Sequence, residues 1–181
     1  MTQGEGVLHY LEVSSPIGSL VLVANSRGLC SIKFGTFANN QEKLQIWAIR
    51  WLGPHNWQEN EVRLRPVALQ LEQYFRGERS IFEGSLDLHG TDFQKRVWQA
   101  LLTVPYGKTA SYKDIAEAIG SPKAVRAVGG ANNQNPISII VPCHRVIGAS
   151  GELVGYGGGL DTKVTLLALE GMLANKTNIV E

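Results

Sequence analysis

The chain has only two cysteines, Cys30 and Cys143, in 181 residues. Thiols so few and so far apart build no disulfide framework, which points to a reducing cytoplasm, with association to the nucleoid if the source is prokaryotic. No apolar run reaches the length that crosses a bilayer, and the N-terminus lacks a basic-then-apolar secretory pattern, so no membrane partner is expected. Metal ligands are scarce as well. Before residue 90 there are only Cys30 and the scattered His9, His55 and His89, a poor basis for a tetrahedral site, and neither metal nor cofactor is expected. Internal repeats and low-complexity segments are missing. Hydrophobic content of 44% and charged content of 18% describe an ordinary globule of one or two small domains, expected as a monomer.

Net charge is also low, at +1, but unevenly spread. Residues 91–147 carry seven Lys/Arg against three acids, while residues 1–90 carry eight against nine. A local basic excess suits a nucleic-acid surface, though alone it describes a solvated face equally well.

Within that stretch stands Val141-Pro142-Cys143-His144-Arg145-Val146. A thiol followed by an imidazole and a guanidinium is an arrangement for an activated nucleophile. The thiolate is the reactive form, and positive charge and a nearby base both raise its fraction. Pro142 disposes Val141 to extended geometry and is itself suited to the first position of a helical turn, which would put Cys143 at a helix N-terminus. If the segment is extended, the Cys143 and His144 side chains point oppositely, and a bridging water would have to link them.

Alternation predicts strands over residues 8–13, 19–24 and 29–34, separated by turn residues, as an antiparallel meander. A helix is expected over 41–51, a break at Gly53-Pro54-His55-Asn56, a helix over 65–75, and a short strand near 86–88. The second half reads as helical. Thr91 with Gln94, and Ser111 with Asp114, are capping-box pairs ahead of apolar stripes. Gly120 ends the second of these helices, and Ser121-Pro122 opens the next in N-cap/N1 order. Two helices about a glycine turn make a helix-turn-helix candidate, a motif that also occurs as plain packing. The second helix is rich in small residues: Ala124, Ala127, Gly129, Gly130 and Ala131. Glycine weakens a helix, so a slim face must serve close packing or close approach to a DNA backbone. The fold class expected is α+β: an N-terminal α/β domain with a meander and helices over 1–83, a linker over 84–90, and a mostly helical domain over 91–181.

Pro142-Cys143-His144-Arg145-Val146 resembles the active-site motif of the methylated-DNA–protein-cysteine methyltransferases, the O6-alkylguanine-DNA alkyltransferase family. Residues 91–98, Val104-Pro105-Tyr106-Gly107 through Ser111-Tyr112, residues 126–131, Asn135-Pro136, Gly155-Tyr156-Gly157-Gly158-Gly159-Leu160 and Leu169-Glu170-Gly171 match the family in order and spacing. The resemblance covers residues 91–173. It implies single-turnover, irreversible transfer of an alkyl group from O6-alkylguanine, and less from O4-alkylthymine, to Cys143. Double-stranded DNA carrying alkylated bases would be bound through the minor groove, and the target base flipped out.

The same resemblance assigns roles. His144 and Glu170 become the catalytic partners of Cys143, in a relay like that of hydrolase triads. Tyr112, Val146, Tyr156, Gly157 and Gly158 line the base pocket, and Gly157 stands where some relatives have serine. Arg126, Ala127, Gly129 and Tyr112 contact DNA, with Arg126 either filling the vacated stack or holding a phosphate. Asn135 and Arg145 support the site. Independently of the resemblance, Glu170 shares a helix face with Leu166 and Leu167, where a carboxylate wants a partner, but at a helix end it reads first as a surface charge. A non-catalytic lesion sensor would lack Cys143, and a thiol hydrolase would not need the helix pair.

Overall fold

A computed structural model describes residues 6–172, which divide into two compact units, one up to His89 and one from Gly90. In the first unit β1 (Gly6–Val13), β2 (Leu20–Ala24) and β3 (Leu29–Phe34) form the expected antiparallel meander. Helix α1 (Phe37–Leu52) follows, opened by a Thr36–Asn39 capping box four residues earlier than the apolar pattern suggests.

The segment read as a plain break contains a fourth strand, β4 (His55–Glu59), paired parallel to β1, so the sheet runs β3-β2-β1-β4. His55-Asn56-Trp57-Gln58-Glu59 has little strand propensity of its own. Pairing with β1 supplies the order, and the Asn60 N–H extends it by donating to the Tyr10 carbonyl at 2.9 Å. Asn60 also caps α2 (Glu61–Phe75), which starts four residues ahead of the expected 65 and holds Pro66 inside its body.

All five residues of β2 are buried, because it is an inner strand covered on both faces. Leu8, Val21, Val23 and Cys30 pack with Leu44 and Ala48 of α1. Helix α2 packs against β1 and β2 and buries Leu64, Leu71 and Tyr74. Residues 84–89, read from sequence as connector, are tied to this unit: Leu86 bridges Leu29, and the Asp87 N–H donates to the Leu29 carbonyl at 2.8 Å. No helix among the described residues is long and apolar enough to cross a membrane.

The second unit contains α3 (Asp92–Leu101), β5 (Ala110–Ser111), α4 (Tyr112–Ala118), α5 (Val125–Asn133), β6 (Val146–Ile147) and α6 (Leu160–Leu169). The two capping boxes, Thr91–Gln94 and Ser111–Asp114, open α3 and α4 as the sequence suggests. Gly120, at φ +73°, closes α4 in a Schellman arrangement with the Ser121 N–H on the Ala116 carbonyl. Ser121-Pro122 does not open α5, however. The four residues 121–124 close as a turn, with the Ala124 N–H on the Ser121 carbonyl and Pro122 at its second position. Helix α5 begins only at Val125. It packs on α3 and α4 and buries Val128, Ala131 and Asn132, and Trp98 of α3 donates its indole N–H to the Ala131 carbonyl at 2.8 Å. The short parallel pair β5·β6 joins Ala110 to Val146 and Ser111 to Ile147. It fixes the residues just before Tyr112 beside those just after Arg145.

Candidate active site

Cys143, the expected nucleophile, lies on an irregular segment between α5 and β6, held by its own backbone. Asn135 accepts the Ile137 N–H at 3.0 Å and donates to the Val141 carbonyl at 2.7 Å. Ile139 has φ +75°, a left-handed conformation uncommon for a β-branched residue, and it is fully buried. Pro142, at φ −84° and ψ 63°, is the centre of an inverse γ-turn closed by the Cys143 N–H on the Val141 carbonyl at 2.8 Å. Cys143–Arg145 then form a single 3-10 turn. Pro142 therefore precedes the turn instead of opening it, and the thiol segment is not an extended strand. One turn has little macrodipole, so the charge balance at the sulfur rests on side chains.

Cys143 is 4% exposed. Burial pushes its thiol up from the ordinary range; hydrogen bonds from Asn135 and Tyr156 and the positive charge of Lys163 pull the other way. Lys163 is fully buried on α6, with Nζ donating to the Val146 carbonyl at 2.5 Å and the Val154 carbonyl at 3.2 Å. Burial brings its ammonium down to about 8, offset in part by the thiol's charge. Lys163 is a charged neighbour of the thiol that the sequence motifs do not flag. A signal was present, since 163, 166, 167 and 170 form one helical stripe, and a lysine on a buried stripe needs a reason.

His144 is also fully buried. Its Nε2 lies 2.8 Å from Oε1 of Glu170, so with an ionised carboxylate Nε2 carries the proton and donates it. Nδ1, its other ring nitrogen, has no hydrogen-bond partner among the described residues. Glu170 is the C-cap of α6, directly after Leu169, and is buried. Gly171, at φ +79°, follows it and reverses the chain, with the Met172 N–H on the Leu167 carbonyl at 2.9 Å.

Arg145, expected to support the site, is bonded to Glu170. Its Nε donates to Oε2 of Glu170 and its Nη2 to Oε1, both at 2.9 Å. Nη1 donates to the Val104 carbonyl at 2.7 Å, and the guanidinium lies 5.8 Å from the centre of the Tyr106 ring. Burial by itself would raise the Glu170 carboxyl, but the hydrogen bonds and charges of His144 and Arg145 outweigh it and bring it to about 2.

The rest of the expected site divides in two. Tyr112 is half-buried and donates its hydroxyl to the Val154 carbonyl at 3.0 Å, an acceptor it shares with Lys163. Burial and the charge of Cys143 both raise its phenol. Gly129 of α5 passes over its ring, where an added Cβ would sit 3.9 Å from Cδ1. Val146 is fully buried in β6. Gly157 and Gly158 lie in the turn that leads into α6, which the Gly159 N–H closes on the Tyr156 carbonyl at 2.9 Å. Arg126 and Ala127, by contrast, are on the outer face of α5 and exposed to solvent.

Comparison with known proteins covers both units. Residues 92–172 match the family model described as 6-O-methylguanine DNA methyltransferase, DNA binding domain, and residues 8–88 match the same family's ribonuclease-like domain. The methylated-DNA–protein-cysteine methyltransferase of Methanosarcina acetivorans is 49% identical over 91% of this chain and 99% of its own. The Mycobacterium leprae protein of that name is 50% identical over 91% of this chain and 93% of its own. Among solved structures, Mycobacterium tuberculosis OGT in complex with DNA superposes with a TM-score of 0.76 at 48% identity, covering 90% of this chain and 92% of that one. Matched in both units and over nine-tenths of its length at about half identity, the chain belongs to the 6-O-methylguanine DNA methyltransferase family, the methylated-DNA–protein-cysteine methyltransferases.

Proposed function

We propose that this protein repairs double-stranded DNA by taking the alkyl group from O6-alkylguanine, and less readily from O4-alkylthymine, onto Cys143 in one irreversible step. The observation that carries the reading is the buried pair of His144 and Glu170, bonded at 2.8 Å, directly following the buried Cys143 thiol in the chain. The thiol proton passes to Nδ1 of His144 through a bridging water, and the Glu170 carboxylate stabilises the imidazolium that results. The sulfur then attacks the alkyl carbon. An S–C bond forms, the C–O6 bond breaks, and guanine leaves with the electron pair and takes up a proton. Tyr112, Tyr156 and Val146 bound the base, with backbone N–H groups of Gly157 and Gly158 beside its O6 edge. The thioether has no route back to a thiol, so each molecule acts once.

A base inside a duplex cannot reach a cysteine that is 4% exposed. The base is flipped out, at a cost of a few kcal/mol. The outer face of α5 supports this step, because Ala127, Gly129 and Gly130 leave room for a minor-groove backbone and Arg126 is exposed to fill the vacated stack. That face has no base-reading Asn or Gln among these residues, and binding is accordingly sequence-tolerant. The protein acts as a monomer, in a reducing cytoplasm where both cysteines, free here, remain thiols.

The test is incubation with an oligonucleotide containing O6-methylguanine, followed by intact-mass and peptide analysis. A gain of one methyl group on Cys143, lost in Cys143→Ser while DNA affinity stays within a few-fold, is the expected result. Adducts on Cys30 with Cys143 clean would reverse the assignment, and an unchanged mass with intact lesion would remove the activity.

A further inference from the structure

We infer that Arg145 is a positioning residue for the thiol's base: by holding both oxygens of Glu170 it keeps His144 neutral, with its proton on Nε2 and its Nδ1 lone pair free to accept. The inference rests on the relay proposed above and adds a part that the relay does not contain.

A buried imidazole bonded to a lone buried carboxylate would tend to share a charge with it, as His⁺ and Glu⁻, because a nearby anion favours the protonated ring. An imidazolium at rest has no lone pair and cannot take the thiol proton. The geometry here avoids that state. Oε1 of Glu170 accepts from His144 Nε2 at 2.8 Å and from Arg145 Nη2 at 2.9 Å, while Oε2 accepts from Arg145 Nε at 2.9 Å. The guanidinium thus takes both oxygens in a fork and neutralises the carboxylate, so what His144 meets is a net-neutral pair that still accepts one hydrogen bond. The fork cannot drift, since Nη1 is bonded to the Val104 carbonyl at 2.7 Å and the Tyr106 ring packs against the guanidinium.

Among the described residues, the other charged group acting on the ring works in the same sense. From α6, Lys163 adds a second positive charge, and Cys143 is the thiol itself. Helix α3 packs on the same turn with a buried face of Val97, Trp98 and Leu101, which carries no charge. Burial, Arg145 and Lys163 press the imidazole down and Glu170 draws it up, with the balance below the ordinary histidine value. When the thiol proton arrives at Nδ1 the ring becomes cationic, and it returns to neutral when that proton passes to the departing guanine. Proton and charge balance without any other reactant.

The experiment is the pH dependence of alkyl transfer from free O6-benzylguanine, which needs no DNA. In Arg145→Met the carboxylate is released to the imidazole, and the acidic limb of the profile moves up by roughly one to two pH units. Below both midpoints the variant is about tenfold or more slower, since each unit corresponds to a factor of ten, and the deficit shrinks towards alkaline pH. Arg145→Lys keeps the charge but not the fork, and its midpoint stays nearer the parent's. A deficit in Arg145→Met that is uniform across pH means a merely structural arginine and overturns the inference. So does a shift in Arg145→Lys as large as in Arg145→Met. If Arg145→Met does not fold, nitrogen NMR of the parent decides: a neutral His144 with Nε2–H at pH 7 is expected, and an imidazolium or an Nδ1–H ring overturns the inference. His144→Gln separates the two levels. If it leaves the parent's rate and profile unchanged, the relay itself is wrong; if it abolishes the acidic limb while Arg145→Met does not move it, only the role of Arg145 fails.

Discussion

Replacing Glu170 with glutamine tests how much the buried network contributes to folding. Glu170 accepts hydrogen bonds from His144 at 2.8 Å and from two nitrogens of Arg145 at 2.9 Å. Its side chain has no solvent exposure. A glutamine amide at this position has the same shape but no charge, and it turns a donor towards Arg145 or His144, leaving a buried guanidinium unneutralised. Breaking a buried pair from one side costs about 3–5 kcal/mol.

The depressed carboxyl gives an independent figure. The Glu170 carboxyl falls from 4.5 to about 2 in the folded chain. A shift of that size corresponds to about 3 kcal/mol at roughly 1.4 kcal/mol per unit, which agrees with the low end of the first range. The sign follows from the direction. A carboxyl depressed by folding contributes its full stability above the unfolded value, and the contribution is lost as pH falls from about 4.5 through about 2. Calorimetry of parent and Glu170→Gln across pH 7 to 2 is the assay. At pH 7 the variant should be less stable by about 3 kcal/mol, and the gap should close between pH 4.5 and 2 as the parent loses what the variant never had. Melting curves that stay parallel over that interval would refute the electrostatic account and leave only a packing defect.

Two further predictions concern the helix and the loop. Arg126→Ala should slow repair in duplex DNA substantially, by the few kcal/mol that holding a flipped base demands, yet react with free benzylguanine at near the parent rate; equal damage to both reactions would make Arg126 structural. At position 139 the usual order of stability should reverse. Ile139→Ala and Ile139→Gly both open a cavity, but only glycine relieves the left-handed backbone, so thermal unfolding should find the glycine variant more stable by about 1 kcal/mol. An alanine variant as stable as the glycine one would show that φ +75° carries no strain.

Much of this protein could be read from its residues in order. Capping boxes at Thr91 and Ser111, the glycine stop at Gly120 and the period-two pattern of β1 to β3 are local rules, set by hydrogen bonds and side-chain spacing within a few residues. The thiol–imidazole–guanidinium string is likewise contiguous, whereas Glu170, though on an apolar stripe, read by itself as a helix-end surface charge. What sequence did not hold is whatever depends on partners distant along the chain. β4 has no strand pattern and exists because β1 offers it an edge. Pro66 argues against a helix start before residue 65, yet packing of α2 on the sheet and the Asn60 cap place that start at Glu61. Ser121-Pro122 has the composition of a helix cap but serves as a turn, because α5 begins where packing on α3 and α4 sets it. Lys163 stands on an apolar stripe, but the two carbonyls that hold its ammonium, 17 and 9 residues away, are brought to it only by the fold. Arg145 reads as a neighbour of the thiol, and only the return of α6 gives it the carboxylate it holds. Burial and charge pairing are sums over the whole fold, so the candidate thiol was local information and its electrostatic setting was not.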